Sequence, residues 1–165
     1  MIERACHDNH LWMTRNRSRL LTLEALALLP LARLLVDRVP LKFWRGSLGA
    51  IVSKDLLGNP ATGREADRRL PSALARRVER AAAIVPFHTK CLPRAVTLHW
   101  MLRRRGIAAL LVIARRRGEN PSPDFYHAWV ETGGDMLIGH CERSLYIPLM
   151  VITNKAAPGA LRAER

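Results

Sequence analysis

The chain has 165 residues, 48% of them hydrophobic, which suits a single domain with an extension and excludes a disordered polyelectrolyte. Its net charge is +13, so its surface attracts something anionic, while an aromatic content of 5% offers few platforms for stacking bases. Three cysteines, at positions 6, 91 and 141, are too few and too widely spaced for a disulfide framework; free thiols in a reducing cytoplasm are expected. In chain order, residues 1–17 are polar and read as loose. Residues 18–38 read as a helix, bent at Pro30 and closed by Val39-Pro40. Its leucine-rich stretch from Leu20 to Leu31 is interrupted by Glu24 and followed by Arg33 and Asp37. It is therefore neither a signal peptide nor a membrane span, although its basic flank is compatible with peripheral membrane contact.

A second helical piece is expected over 41–53, and the turn-rich residues 58–63 mark a boundary. Leu74, Val78, Ala81 and Ala82 recur at helical spacing and predict a helix over 70–84. A further helix starts at Cys91 and stops at Gly106, with Leu92, Ala95, Val96, His99 and Leu102 on one stripe. The apolar run 107–114 reads as a buried strand. Residues 125–132 read as another, turned at Gly133-Gly134 into a third over 136–142. Residues 144–152 complete a meander, and Pro148 places this last strand at an edge. Helices followed by antiparallel strands make the fold α+β, with the helix from Cys91 packed across the sheet. The expected organisation is a helical extension over 1–57, a core over 58–152 and a flexible tail over 153–165.

Cys91 carries the functional argument. At a helix N-terminus the unbonded N–H groups and the helix dipole favour a thiolate. His88 and Lys90 add positive charge nearby, and His127, on a strand, can act as base and then as acid to a leaving amine. The backbone N–H of Cys91 is the natural first donor of an oxyanion hole. A cysteine at a helix start followed by a histidine on a strand is the chain order of papain- and transglutaminase-type thiol sites.

The strings Cys91-Leu92-Pro93-Arg94-Ala95, Leu102-Arg103-Arg104-Arg105-Gly106-Ile107 and His127-Ala128-Trp129-Val130-Glu131 resemble the transglutaminase-like core of the lasso-peptide leader peptidases. These are the B-type maturation proteases of ribosomally made, post-translationally modified peptides. The resemblance spans about residues 18–150. It implies a papain-like cysteine endopeptidase that cuts a precursor peptide at its leader–core junction. It carries the nucleophile to Cys91 and the base to His127, with Trp129 packed beside the site. It also implies two partners. One is an asparagine-synthetase-like macrolactam cyclase, which consumes the ATP associated with maturation. The other is a separate leader-recognition protein acting in trans, because the first sixty residues lack the winged-helix-like module that some members carry. No glycine-rich phosphate loop is visible, so no cofactor is expected in this chain.

The family places an acid on the strand after the histidine strand. A two-residue turn at Gly133-Gly134 pairs Thr132 with Asp135, Trp129 with Ile138 and His127 with His140, and puts Glu142 diagonal to His127. Asp135 then lies roughly 16 Å from His127 at ~3.3 Å per residue. His140 or Glu142 is left as the orienting group; a one-residue bulge would bring Cys141 opposite instead.

His88, Cys91, His127, His140 and Cys141 match no common zinc spacing, so no metal is expected. The clusters Arg103–Arg105 and Arg115–Arg117 suit an acidic peptide, and make a non-catalytic basic module for acidic peptide or nucleic acid the alternative in another class, with nucleic acid not expected. An amidase or acyltransferase could use the same dyad.

Overall fold

The computed structural model describes residues 2–58, 69–118 and 125–155, with side chains from residue 18 onward. The first helix, α1, runs Ile2–Arg38. It therefore extends through the segment expected to be loose, which contains neither glycine nor proline to stop it. Pro30 lies within it on an exposed position. A short helix α2 (Leu41–Trp44) and a 3-10 turn (Arg45–Ser47) follow. The rest of the expected second helix is instead a two-residue strand, β1 (Ala50–Ile51), and a second 3-10 turn (Lys54–Leu56). Gly49 at φ +129° starts this change, and a Cβ there would collide with the backbone of Thr153.

Helices α3 (Arg69–Ile84) and α4 (Cys91–Arg103) form where expected. α3 is amphipathic: Leu74, Ala75, Val78 and Ala81 are buried, while Arg76 and Arg80 face solvent. α4 is buried well beyond one stripe. Thr97, Leu98 and Met101 are fully enclosed as well, because α1 and α3 pack on the side away from the sheet. Leu29, Leu74, Leu98 and Leu102 are all fully buried in this core, each contributing about 2 kcal/mol of transfer free energy.

The sheet is antiparallel with order β1-β5-β2-β3-β4, from strands β2 (Leu110–Arg116), β3 (Tyr126–Thr132), β4 (Asp135–Ile138) and β5 (Tyr146–Thr153). β2 starts three residues later than expected. Residues 107–109 are held by side chains instead of a ladder: Asn154 Nδ2 donates to Ile107 O at 2.8 Å and Thr132 Oγ1 to Ala108 O at 2.6 Å. The expected meander is also corrected. β5 crosses to lie between β1 and β2, not at an edge beside β4. Pro148 is tolerated because β1 pairs only with Thr153 and Ile152, leaving Pro148 a single partner strand, and because a register shift falls at its partner Ala114.

One sheet face meets the helices through Ala128, Val130, Leu111 and Ile152. The opposite face carries a second cluster of Trp129, Tyr146, Val112 and Val151, covered by Val52, Leu56 and Leu57. Residues 119–124, part of the expected loop before β3, and residues 156–165, most of the expected tail, lie outside the described residues. Among the described residues no helix is long and apolar enough to cross a membrane.

Candidate active site

The approach to Cys91 is fixed from both sides. Arg33 of α1 donates to His88 O at 3.0 Å and stacks over the Phe87 ring at 4.6 Å. Buried Thr89 accepts from Arg94 Nε at 2.9 Å, and Arg94 in turn pairs with Glu79 of α3 at 3.2 Å. Lys90 precedes the helix in extended geometry and provides no side-chain cap, so the first N–H groups of α4 stay available to the sulfur and to a ligand. Pro93, which has no N–H to lose, sits in that first turn.

His127 stands near the start of β3, where β4 does not reach. β4 pairs with β3 only from Val130 to Thr132, and a register shift falls between Val130 and Glu131. The outer edge of β3 is thereby left for the N-terminus of α4. The Cys91 thiol lies 4.0 Å from Tyr126 O and is hydrogen-bonded to the His127 side chain. Burial pushes the thiol pKa up. The hydrogen bond and charge of His127, with the N–H groups of Ala128 and Leu92, outweigh this and bring it below the usual 9.0. The two groups the sequence singled out are thus neighbours, on a half-buried sulfur accessible to solvent.

The same register shift corrects the expected orienting groups. Ile138 faces Val130, not Trp129, and turns toward the helices. β4 ends there, so the expected pair of His127 with His140 does not form. His140 is exposed and lines a groove against α3. Glu142 caps the 3-10 turn Arg143–Leu145, its Oε1 accepting from Ser144 Oγ at 3.0 Å. His127 Nε2 lies 2.9 Å from the carbonyl oxygen of Gly139. A carbonyl only accepts, so Nε2 carries the hydrogen, and the neutral ring presents the Nδ1 lone pair.

Gly139 has φ +72°, and a Cβ on it would collide with Ala128 O. Only glycine permits this approach. The sequence signal was a glycine directly after a strand, which the unbulged register left in the middle of the ladder.

Two aromatic rings frame the imidazole. Tyr146 lies 5.3 Å away centroid to centroid, and Trp129, as expected, packs beside it at 6.3 Å. The tyrosine comes from β5, a contact that local sequence pattern does not announce. The glutamate of the His-Ala-Trp-Val-Glu string is structural: Glu131 is 1% exposed and its Oε2 is 2.6 Å from Arg143, which also donates to Gly134 O. His99 is a packed core histidine. Its Nε2 donates to Leu48 O at 2.9 Å, and burial lowers its pKa to about 4, so it is neutral. Cys141 is free, and burial raises its pKa. Among the described residues no three His, Cys, Asp or Glu side chains are grouped to hold a metal.

A nucleophile with a lowered pKa, a histidine with a defined tautomer and a helix N-terminus form the equipment for acyl transfer through a thioester. Neither the curated proteins nor the solved structures contain a match to this chain. A family model does match, over residues 35–151, a span that includes α2 to α4 and nearly the whole sheet. The chain belongs to the transglutaminase-like superfamily, whose enzymes typically work through a cysteine.

Proposed function

We propose that this protein is a cysteine endopeptidase that removes the leader from a lasso-peptide precursor. The observation that carries the reading is the Cys91 thiol hydrogen-bonded to His127, with its pKa lowered, at the uncapped start of α4. The specific substrate rests on the resemblance of the strings around Cys91 and His127 to those peptidases.

In this reading the Cys91 thiolate attacks the scissile carbonyl carbon, and the Cys91 N–H donates to the oxyanion that forms. The His127 imidazolium gives its proton to the departing amine, leaving a thioester between Cys91 and the leader. His127, now neutral, takes a proton from water as the water attacks the thioester. The leader leaves as a carboxylic acid and the thiol is restored. Gly139 holds the imidazole by its Nε2–H. A carbonyl dipole stabilises the imidazolium less than a carboxylate would, so the N–H groups of Leu92 and Ala128 have a larger share in sustaining the thiolate.

The freed amino terminus of the core would pass to an asparagine-synthetase-like cyclase, and a separate recognition protein would deliver the leader, in the cytoplasm. The test is mass spectrometry of a precursor peptide incubated with the protein and that recognition partner. Cut leader and core should appear, and Cys91→Ala should abolish both while its melting temperature stays near that of the parent. Cleavage by the alanine variant would remove the mechanism.

A further inference from the structure

A groove of about 840 Å³ runs between α3 and β4, away from the thiol. One wall is the arginine face of α3, with Arg76, Arg77 and Arg80; the other is β4 and the residue after Gly139, His140. Glu79 and Asp135 also line the groove, and Glu79 is paired with Arg94 at 3.2 Å, so three arginines stand there against two carboxylates. Arg77 Nε is shielded from solvent and has no hydrogen-bond partner there. β4 is the last strand of the sheet, pairs only with β3, and lines this groove through Asp135, Met136 and Leu137.

We infer that the groove binds an extended acidic peptide segment, added as a further strand along β4 with its carboxylates on Arg76 and Arg80. A free strand edge supplies N–H and C=O groups to an incoming backbone, and side-chain pockets supply selectivity. The spacing suits alternate acidic residues. Positions i and i+2 of a strand are about 6.6 Å apart, and Arg76 and Arg80, four residues apart on a helix, are about 6 Å apart along its axis. Guanidinium groups pair with carboxylates in two-pronged fashion, and the chain's charge of +13 draws such a segment in. The groove and the thiol site share the segment after β4, since His140 of the groove follows Gly139, whose carbonyl holds His127. The occupant is therefore an acidic stretch of the substrate peptide itself, which deepens the function proposed above and rests on it. Nucleic acid is the weaker match, because a phosphate backbone makes no use of a strand edge.

The experiment is fluorescence anisotropy with a labelled octapeptide of alternating valine and glutamate, against the same peptide with lysine for glutamate. The protein should bind the glutamate peptide and not the lysine one. Arg76→Glu with Arg80→Glu, both at exposed positions, should weaken binding by about tenfold or more while the melting temperature holds. Methylating alternate backbone nitrogens of the peptide should also weaken it. Equal binding of both peptides, or affinity unchanged by the charge reversal or by methylation, would overturn the inference, as would a single-stranded oligonucleotide displacing the peptide at equal concentration. Cys91→Ala should bind as the parent does. Anisotropy therefore reports on the groove alone, and a failure of peptide cleavage would be seen separately.

Discussion

The imidazole of His127 is held by the backbone carbonyl of Gly139, 2.9 Å from Nε2, where His140 or Glu142 was expected. The bulge that shortens β4 sets this contact and also opens the edge of β3 to Cys91. Orientation of the imidazole thus depends on a backbone that only glycine can adopt.

Gly139→Ala should be costly on both counts. The new methyl would meet Ala128 O in a left-handed backbone, so stability should fall by at least about 2 kcal/mol in urea unfolding. Turnover per folded molecule should fall by about tenfold or more, because the imidazole loses its fixed position. Gly106→Ala is the control: φ is +66° but nothing lies within 4 Å of the new carbon, so it should cost about 1 kcal/mol and leave turnover unchanged. Glu142→Gln should also leave turnover unchanged, since that side chain caps a turn.

The buried Glu131 and the partly exposed Arg143 form an ion pair that joins β3 to the turn before β5. Arg143→Met should destabilise by about 2–3 kcal/mol, because it strands a buried carboxylate; the 42% exposure of Arg143 keeps the figure below that of a fully enclosed pair. Adding Glu131→Gln should recover part of the loss. Denaturant midpoints of the two single variants and the double variant test this coupling, and simple additivity would contradict it.

Much of this fold was legible because α3, α4 and β3 carry strong local patterns. Cys91 and His127 were found because a thiol at a helix start and a histidine on a strand are chemical signals needing no partner to be seen. Gly139 was missed because one extra residue near Val130 shifts every later pairing, and nothing local announces the shift. The same applies to Tyr146. Its place against His127 depends on β5 entering between β1 and β2, a long-range pairing in which β1 contributes two residues. The length of α1 was underestimated because polar residues were read as loose where no helix breaker stands.

His99 predicts the acid side of the stability profile. The buried ring holds its proton less tightly than the unfolded ring does, with a pKa near 4 against 6.5. Its contribution is complete above about pH 6.5, falls as pH drops and is lost near pH 4, a change of about 3 kcal/mol. His99→Gln, whose amide can still donate to Leu48 O, should unfold more easily at pH 7 but lose less on acidification. Parallel stability curves for parent and variant over that range would contradict the assignment.

The most direct test of the account is the pH dependence of Cys91 alkylation by iodoacetamide, followed by peptide mass spectrometry in the parent and in His127→Ala. The parent's Cys91 should react half-maximally below pH 9, ahead of Cys141, and losing the imidazole should shift its midpoint upward. Superimposable profiles for the two proteins, or a Cys91 no faster than Cys141, would contradict it.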